Sequence, residues 1–225
     1  MTGTRTMTIR LAPRAGALVL GALLAVARPP SARAAEVFLA ADCLEPPDGL
    51  LIGTGTQSYP AGVVISDPLF SNLAPCTALP AAIGGGADEY YDGQVDCEMS
   101  SDGRVNAQPA HAPVTFQLHI RYAEPTGPDT RRFDTEMLQL DISGGTLPFT
   151  MGFRESPPLA STGVTAIRAV PGGFMIDSFF DVFTELSLDG YTWYPAGLAA
   201  HLTLSSENVT EARTSTWGAI KTLYR

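Results

Sequence analysis

The stretch Ile176–Trp193, IDSFFDVFTELSLDGYTW, decides how the chain is read. Asp177, Asp181 and Glu185 lie four residues apart, so a helix would stack three carboxylates on one stripe. A strand would also put them on one face, with Phe179 and Phe183 between them. In a helix the like charges, with no cation interposed, would cost about 0.2–0.5 kcal/mol per pair. In a strand Phe174, Ile176, Phe180, Val182, Leu186 and Leu188 share the opposite face, and the aromatic residues favour a sheet. Asp189-Gly190, set between apolar and aromatic residues, is a hairpin signal. The stretch is therefore expected to be a strand running into a hairpin, with Phe180, Val182 and Leu186 in the core and the three acids on a solvated face.

Outward from this stretch the same period recurs. In VTFQLHIRY, Val114, Phe116, Leu118, Ile120 and Tyr122 alternate with polar residues, and TEMLQLDIS alternates through Leu138, Leu140 and Ile142, which predicts an antiparallel partner. FTMGFR, VTAIRAV, GFMID and AHLTLS are further short runs bounded by Gly, Pro or Ser. Residues 35–112 are dense in turn formers, with GVVIS at Gly62–Ser66 as the clearest strand. The expectation is an all-β fold, an antiparallel β-sandwich over residues 35–225. It divides into a loop-rich part (35–112), regular strands (113–205) and a tail (206–225) forming a short helix with Trp217, Ile220 and Tyr224 on one side.

Residues 1–34 read as an export signal. Arg5, Arg10 and Arg14 precede the apolar run AGALVLGALLAVA, and Ala32 and Ala34 in SARAAE fit a signal-peptidase site. The run has about two-thirds of the ~20 residues a spanning helix needs. Cleavage near Ala34 removes five arginines and no acid, leaving nine basic against 23 acidic residues and a net charge of −14. Nucleic acid and anionic lipid both require basic patches, so neither is expected as a partner, and no membrane span is expected in the mature chain. The localisation expected is secreted, cell-surface or periplasmic. Disulfides persist there, and three cysteines allow three single bridges. Pairing of Cys76 with Cys97 around IGGGADEYYDG is expected, with Cys43 unpaired.

Several residue groups carry chemistry. Paired carboxylates for glycoside hydrolysis must lie about 5–10 Å apart. Strand neighbours of one parity are separated by about 7 Å, which admits Asp177, Asp181 and Glu185 as a catalytic alternative. Acid faces on strands are usually solvated, so no catalytic residue is assigned. Asp88, Glu89, Asp92 and Asp96 gather in one acidic segment and are candidate calcium ligands, although their spacing matches no calcium loop. A solvated acidic loop is the simpler reading, and no cofactor is assigned. Tyr90 and Tyr91 beside these acids suit a sugar-binding face. His111, His119 and His201 are the three histidines, and no HExxH, GxSxG or SxxK pattern accompanies them.

Ser187, Asp189, Gly190, Thr192 and Trp193 resemble the Asp-box hairpin of sialidases and other secreted β-proteins, with one residue fewer between Asp189 and Gly190. The role this resemblance implies is structural, the Ser and Asp fastening the turn and the Trp packing beneath it. Over a wider span, RRFDTEMLQLDISGG, RESPPLASTG, GGFMIDSFFDVFTELSLDGYTWYPA and AHLTL resemble the core of exported bacterial proteins of the PEP-CTERM type. The Pro-Glu-Pro motif, apolar helix and arginine cluster that end such proteins are not matched, so sorting by an exosortase is not expected. The resemblance implies an exported bacterial protein with a non-catalytic structural or binding role at or beyond the cell surface, its partner a surface polymer or glycan. The alternative is a hydrolase of extracellular polysaccharide using paired carboxylates.

Overall fold

The computed structural model describes residues 36–39, 41–44, 49–103, 105–127, 129–148 and 150–206. In chain order the strands among them are β1 (Val37–Leu39), β2 (Gly49–Thr54), β3 (Thr56–Ser58), β4 (Val64–Ala74), β5 (Gly86–Ser100), β6 (Gln108–Gly127) and β7 (Thr130–Ser143). They continue with β8 (Gly152–Glu155), β9 (Ser161–Val170), β10 (Gly173–Val182), β11 (Thr184–Ser187), β12 (Trp193–Pro195) and β13 (Ala200–Ser206). One short 3-10 turn, Pro60–Gly62, precedes β4.

Eight strands close on themselves. β2, β4, β5, β6, β7, β9, β10 and β13 pair in that order, all antiparallel, and β13 returns to β2 through His201↔Thr54 to Ser206↔Gly49. The barrel is thus an up-and-down meander in chain order. Its stagger can be read from the pairing. Directly opposed residues run Gly86, Arg121, Asp134, Val164, Phe179, Thr203, Ile52, Leu69 and then Asp96 on the starting strand, a displacement of ten residues per circuit. For eight strands with about 3.3 Å rise and 4.8 Å spacing, that shear tilts the strands by about 40° and gives a radius of about 8 Å. Such a barrel is just wide enough for its own side chains. Leu51, Tyr91, Phe116, Phe133, Ile176 and Phe180, each 3 % exposed or less, lie in that interior.

The long strands alternate except at bulges, one of which in β7 leaves Leu138 and Gln139 both outward, so Leu138 is exposed where the alternation of TEMLQLDIS predicts an inward residue. In β5, Glu89, Tyr91 and Val95 are buried while Asp88, Tyr90, Asp92 and Asp96 face out. Gly163 in mid-β9 is dictated by the core: a Cβ there would lie 2.5 Å from the Phe180 ring, which crosses β9 at that point. β11 continues the line of β10 after Phe183 but leaves the barrel wall, pairing with β8 and β12. β8 in turn joins the C-terminal end of β7. β7, β8, β11 and β12 therefore form a four-stranded flap.

Three expectations are corrected. The all-β antiparallel fold is present, but its sheet closes into a barrel instead of splitting into a sandwich, because the last strand finds the first. Residues 35–112 carry more strand than the turn formers predict: they supply β1 to β5, and the Asp residues of GADEYYDGQVDCEMS line the outward face of a 15-residue strand, with Gly93 inward against Leu73. Cys76 pairs with Cys43, not Cys97, with their Cα atoms 5.4 Å apart. The β4–β5 register explains this, setting Ala74 beside Asp92 but Ser66 beside Glu98, so Cys97 lies far along the strand from Cys76. The export signal (1–34) and the tail helix within 206–225 fall outside the described residues, Ser206 aside.

The bridge ties the segment after β1 to the segment after β4, 33 residues on. That loop length corresponds to about 4 kcal/mol in the chain-entropy model. Non-reducing peptide mapping should link Cys43 to Cys76 and leave Cys97 free. Reduction, followed by chemical denaturation, should lower stability by an amount of that order.

Candidate functional site

The barrel interior is the first place to look and offers little. Its cavity of about 50 Å³ is lined by apolar residues such as Phe70, Met137 and Leu140. That holds a few waters, whereas small-molecule pockets run to about 300–1,000 Å³. Its polar corner is internally satisfied: Gln57 Nε2 donates to Thr184 Oγ1 (3.0 Å), and the Tyr59 hydroxyl meets Gln57 Oε1 (3.2 Å) and Thr184 Oγ1 (2.6 Å). Burial raises the Tyr59 phenol well above its ordinary value. The Cys97 thiol, at the same cavity, is pushed up to about 11 by burial, then by Asp96 and Glu98, so it is a packed thiol rather than a nucleophile.

The acids singled out from the sequence are dispersed. Asp177 and Asp181 face outward on β10, and four residues of strand set them about 13 Å apart, beyond the range of a hydrolytic pair. Asp181 meets His201 Nδ1 at 2.6 Å across β13. Glu185 departs from the expected solvated face. It is 7 % exposed, because the chain leaves the barrel wall after Phe183 and lays β11 between β8 and β12. Arg154 Nε and Nη2 donate to its Oε2 at 2.9 and 2.7 Å, and Ser156 Oγ donates to Oε1 at 3.1 Å. This carboxylate is fully engaged and structural.

The calcium candidates do not converge either. Asp88, Asp92 and Asp96 are spread along the outer face of β5, while Glu89 points inward and accepts the Tyr91 hydroxyl at 2.6 Å. Among the described residues no group of His, Cys, Asp or Glu is arranged to hold a metal ion. Tyr90 and Tyr91 likewise part to opposite faces. Each of the three histidines sits directly opposite an aspartate on the next strand: His111 with Asp96 (2.9 Å), His119 with Asp88 (2.5 Å) and His201 with Asp181 (2.6 Å). Repetition of one cross-strand pairing at three places marks it as a sheet contact.

What remains is the flap. Its outer face carries two rows across the strands: Asp141, Arg154, Glu185 and Pro195, then Ser143, Gly152, Ser187 and Trp193. The second row is small until Trp193, so a groove of about 500 Å³ opens above it, bordered also by Thr150, Asp189 and Tyr191. Arg154 lies over the Trp193 ring at 4.2 Å from its centroid, a cation–π contact that fixes the indole. The hairpin beside it is held by side chains. Asp189 Oδ1 accepts the N–H groups of Tyr191 (2.8 Å) and Thr192 (2.7 Å), Asp189 Oδ2 accepts the Thr192 hydroxyl (3.0 Å), and Ser187 Oγ accepts Gly190 N–H (2.9 Å). The Thr192 amide, then that of Tyr191, hold the Asp189 carboxyl down at about 2. The hairpin presents Tyr191, 89 % exposed, at the groove's lip.

Asp141, Ser143, Arg154 and Tyr191 were not picked out as site residues from the sequence. Asp141 was legible as an outward residue of TEMLQLDIS, but its neighbours across β8 and β11 were not. No protein-family model matches the chain, and no curated protein or solved structure matches it.

Substitution should separate the acids. Glu185→Gln should cost about 2–4 kcal/mol by leaving Arg154 without its counter-charge in a partly buried site. Asp181→Asn should cost about 0.5 kcal/mol, as exposed pairs do, and Phe180→Ala about 3–5 kcal/mol as a core truncation. Urea denaturation of the three variants measures all of these.

Glu155 gives a pH signature. Burial raises its carboxyl above the ordinary value, and Glu185 and Glu136 add to this, while Ser161 opposes it. The folded chain therefore holds this proton more tightly than the unfolded chain, a contribution present below the ordinary glutamate range and lost as pH rises through the raised value. Glu155→Gln should thus stabilise the fold at pH 7 by less than about 1 kcal/mol after solvent screening and give no gain at pH 3, as melting curves at the two pH values would show.

Proposed function

We propose that the chain is an exported bacterial protein with a non-catalytic binding or structural role at or beyond the cell surface. The observation that carries the reading is the flap groove, a concave aromatic and polar surface, in a molecule where Asp177 and Asp181 are too far apart for a hydrolytic pair and Glu185 is bound by Arg154 and Ser156. Export is supported by the disulfide Cys43–Cys76, which is consistent with an extracellular or periplasmic compartment. The arginine-led apolar segment with its Ala32 and Ala34 motif and the resemblance to PEP-CTERM-type cores support it further. Among the described residues no helix is long and apolar enough to cross a membrane.

A polysaccharide hydrolase has less support. It would need one acid with a raised pKa and a second carboxylate facing it across a cleft. Glu155, whose carboxyl is raised, belongs to the structural neighbourhood of Glu185 and Arg154 and does not border the groove.

Export is directly testable. Amino-terminal sequencing of the chain recovered outside the cytoplasm of a bacterial host should begin within a few residues of Ala35. Recovery of intact Met1 there, or retention of the chain in the cytoplasm, would refute the assignment.

A further inference from the structure

The flap groove has a shape and charge that specify its ligand class, a deduction resting on the binding reading above. Its floor is Ser143, Gly152 and Ser187, side by side on three neighbouring strands, with Ser187 wholly buried. Small residues there leave room above Ser143 and Gly152, while Ser187 is covered. A Cβ at Gly152 would make ordinary van der Waals contact with the Trp193 ring, 3.8 Å away, so the indole edge reaches across to β8. Arg154 lies against one face of that indole, leaving the other toward the groove. Tyr191 stands above it, and Thr150 and Asp141 border the groove with them.

Charge narrows the class. Arg154, behind Trp193, is committed to Glu185 through two nitrogens and to the Trp193 face. Asp141 and Asp189 both border the groove, and Asp189 spends its oxygens on its own hairpin. The carboxylate of Asp141 accepts from Gln139 and retains further acceptor capacity. The groove's lining holds two carboxylates and no cation, so an anionic ligand would meet like charge with nothing in the lining to offset it. A flat ligand with one apolar face and a rim of hydroxyls fits all of these features: aromatic rings cover the apolar face, and Asp141 and Ser143 take the hydroxyls.

We infer that the groove binds an uncharged pyranose chain, with Trp193 and Tyr191 as the aromatic contacts and Asp141 as the hydroxyl acceptor. The ligand class is a neutral glycan, such as a β-linked glucan or an N-acetylhexosamine polymer.

The experiment is calorimetric titration of the full exported chain with cellohexaose, hexa-N-acetylchitohexaose and, as the charged counterpart, an oligogalacturonate. At least one neutral oligomer should bind with millimolar affinity or better. Tyr191→Ala and Asp141→Asn, both surface changes, should each weaken binding by about fivefold or more while leaving the melting curve unchanged. Equal or tighter binding of the oligogalacturonate would overturn the charge argument and with it the inference. Binding that both variants leave intact would place the glycan elsewhere on the barrel and overturn this site, while sparing the binding reading. Absence of binding by every neutral oligomer, with export established independently, would also overturn this site and leave a structural role standing.

Discussion

The rest of the structure depends on one pairing, that of β13 with β2. Without it the meander is an open sheet with two bare edges, and its concave apolar face lacks the curvature to bury itself. With it, every inward residue of eight strands faces the same axis. The ten-residue stagger set by that closure fixes the radius, and the radius fixes the contents: a barrel this narrow is filled by Phe, Tyr, Leu and Ile from its own wall. Packing to that density leaves no calyx. The larger groove lies instead on the flap, where β8, β11 and β12 are free of the barrel's geometry.

The flap needs an anchor of its own, and Glu185 supplies it. A carboxylate at that depth is tolerable because Arg154 and Ser156 give it three hydrogen bonds. The same arginine steadies Trp193. One buried charge thus links β8, β11 and β12 and orients the aromatic wall of the groove. The outward face of β5, β6 and β7 differs in kind, carrying Asp88, Asp92, Asp96, Glu136, His111 and His119.

Much of this was legible in the sequence where alternation was clean. Ile176, Phe180, Val182 and Leu186 are buried as their parity predicts, and Val114 to Tyr122 pair antiparallel with the TEMLQLDIS strand. The failures share a physical cause, which is that sequence period reports local twist and burial but not which distant strand completes a sheet. His201 and Thr54 meet across the seam although 147 residues separate them. β5 was missed because its outward positions are Asp, Gln and Glu, which resemble a loop until the inward Tyr91, Val95 and Cys97 are read as a set. Glu185 keeps its outward parity but is buried, because β8 and β12 flank it and Arg154 and Ser156 bind it. The groove could not be foreseen at all, since Ser143, Gly152, Ser187 and Trp193 become neighbours through three separate strand pairings.

The covalent bond between Cys43 and Cys76 also sets how the molecule carries tension. Gly49 and Ser206 lie opposite each other at one end of the β2–β13 seam, so a pull separating these two ends would peel that seam one hydrogen-bonded pair at a time, the weakest way to load a sheet. A load entering at residue 36 takes another route. Before it reaches β2 it meets the bridge at Cys43, which hands the force to the chain just beyond β4, on the far side of β2 from the seam. For a protein held at its amino-terminal end, the disulfide would then act as a strain relief, and the barrel would stay shut while its leash was pulled.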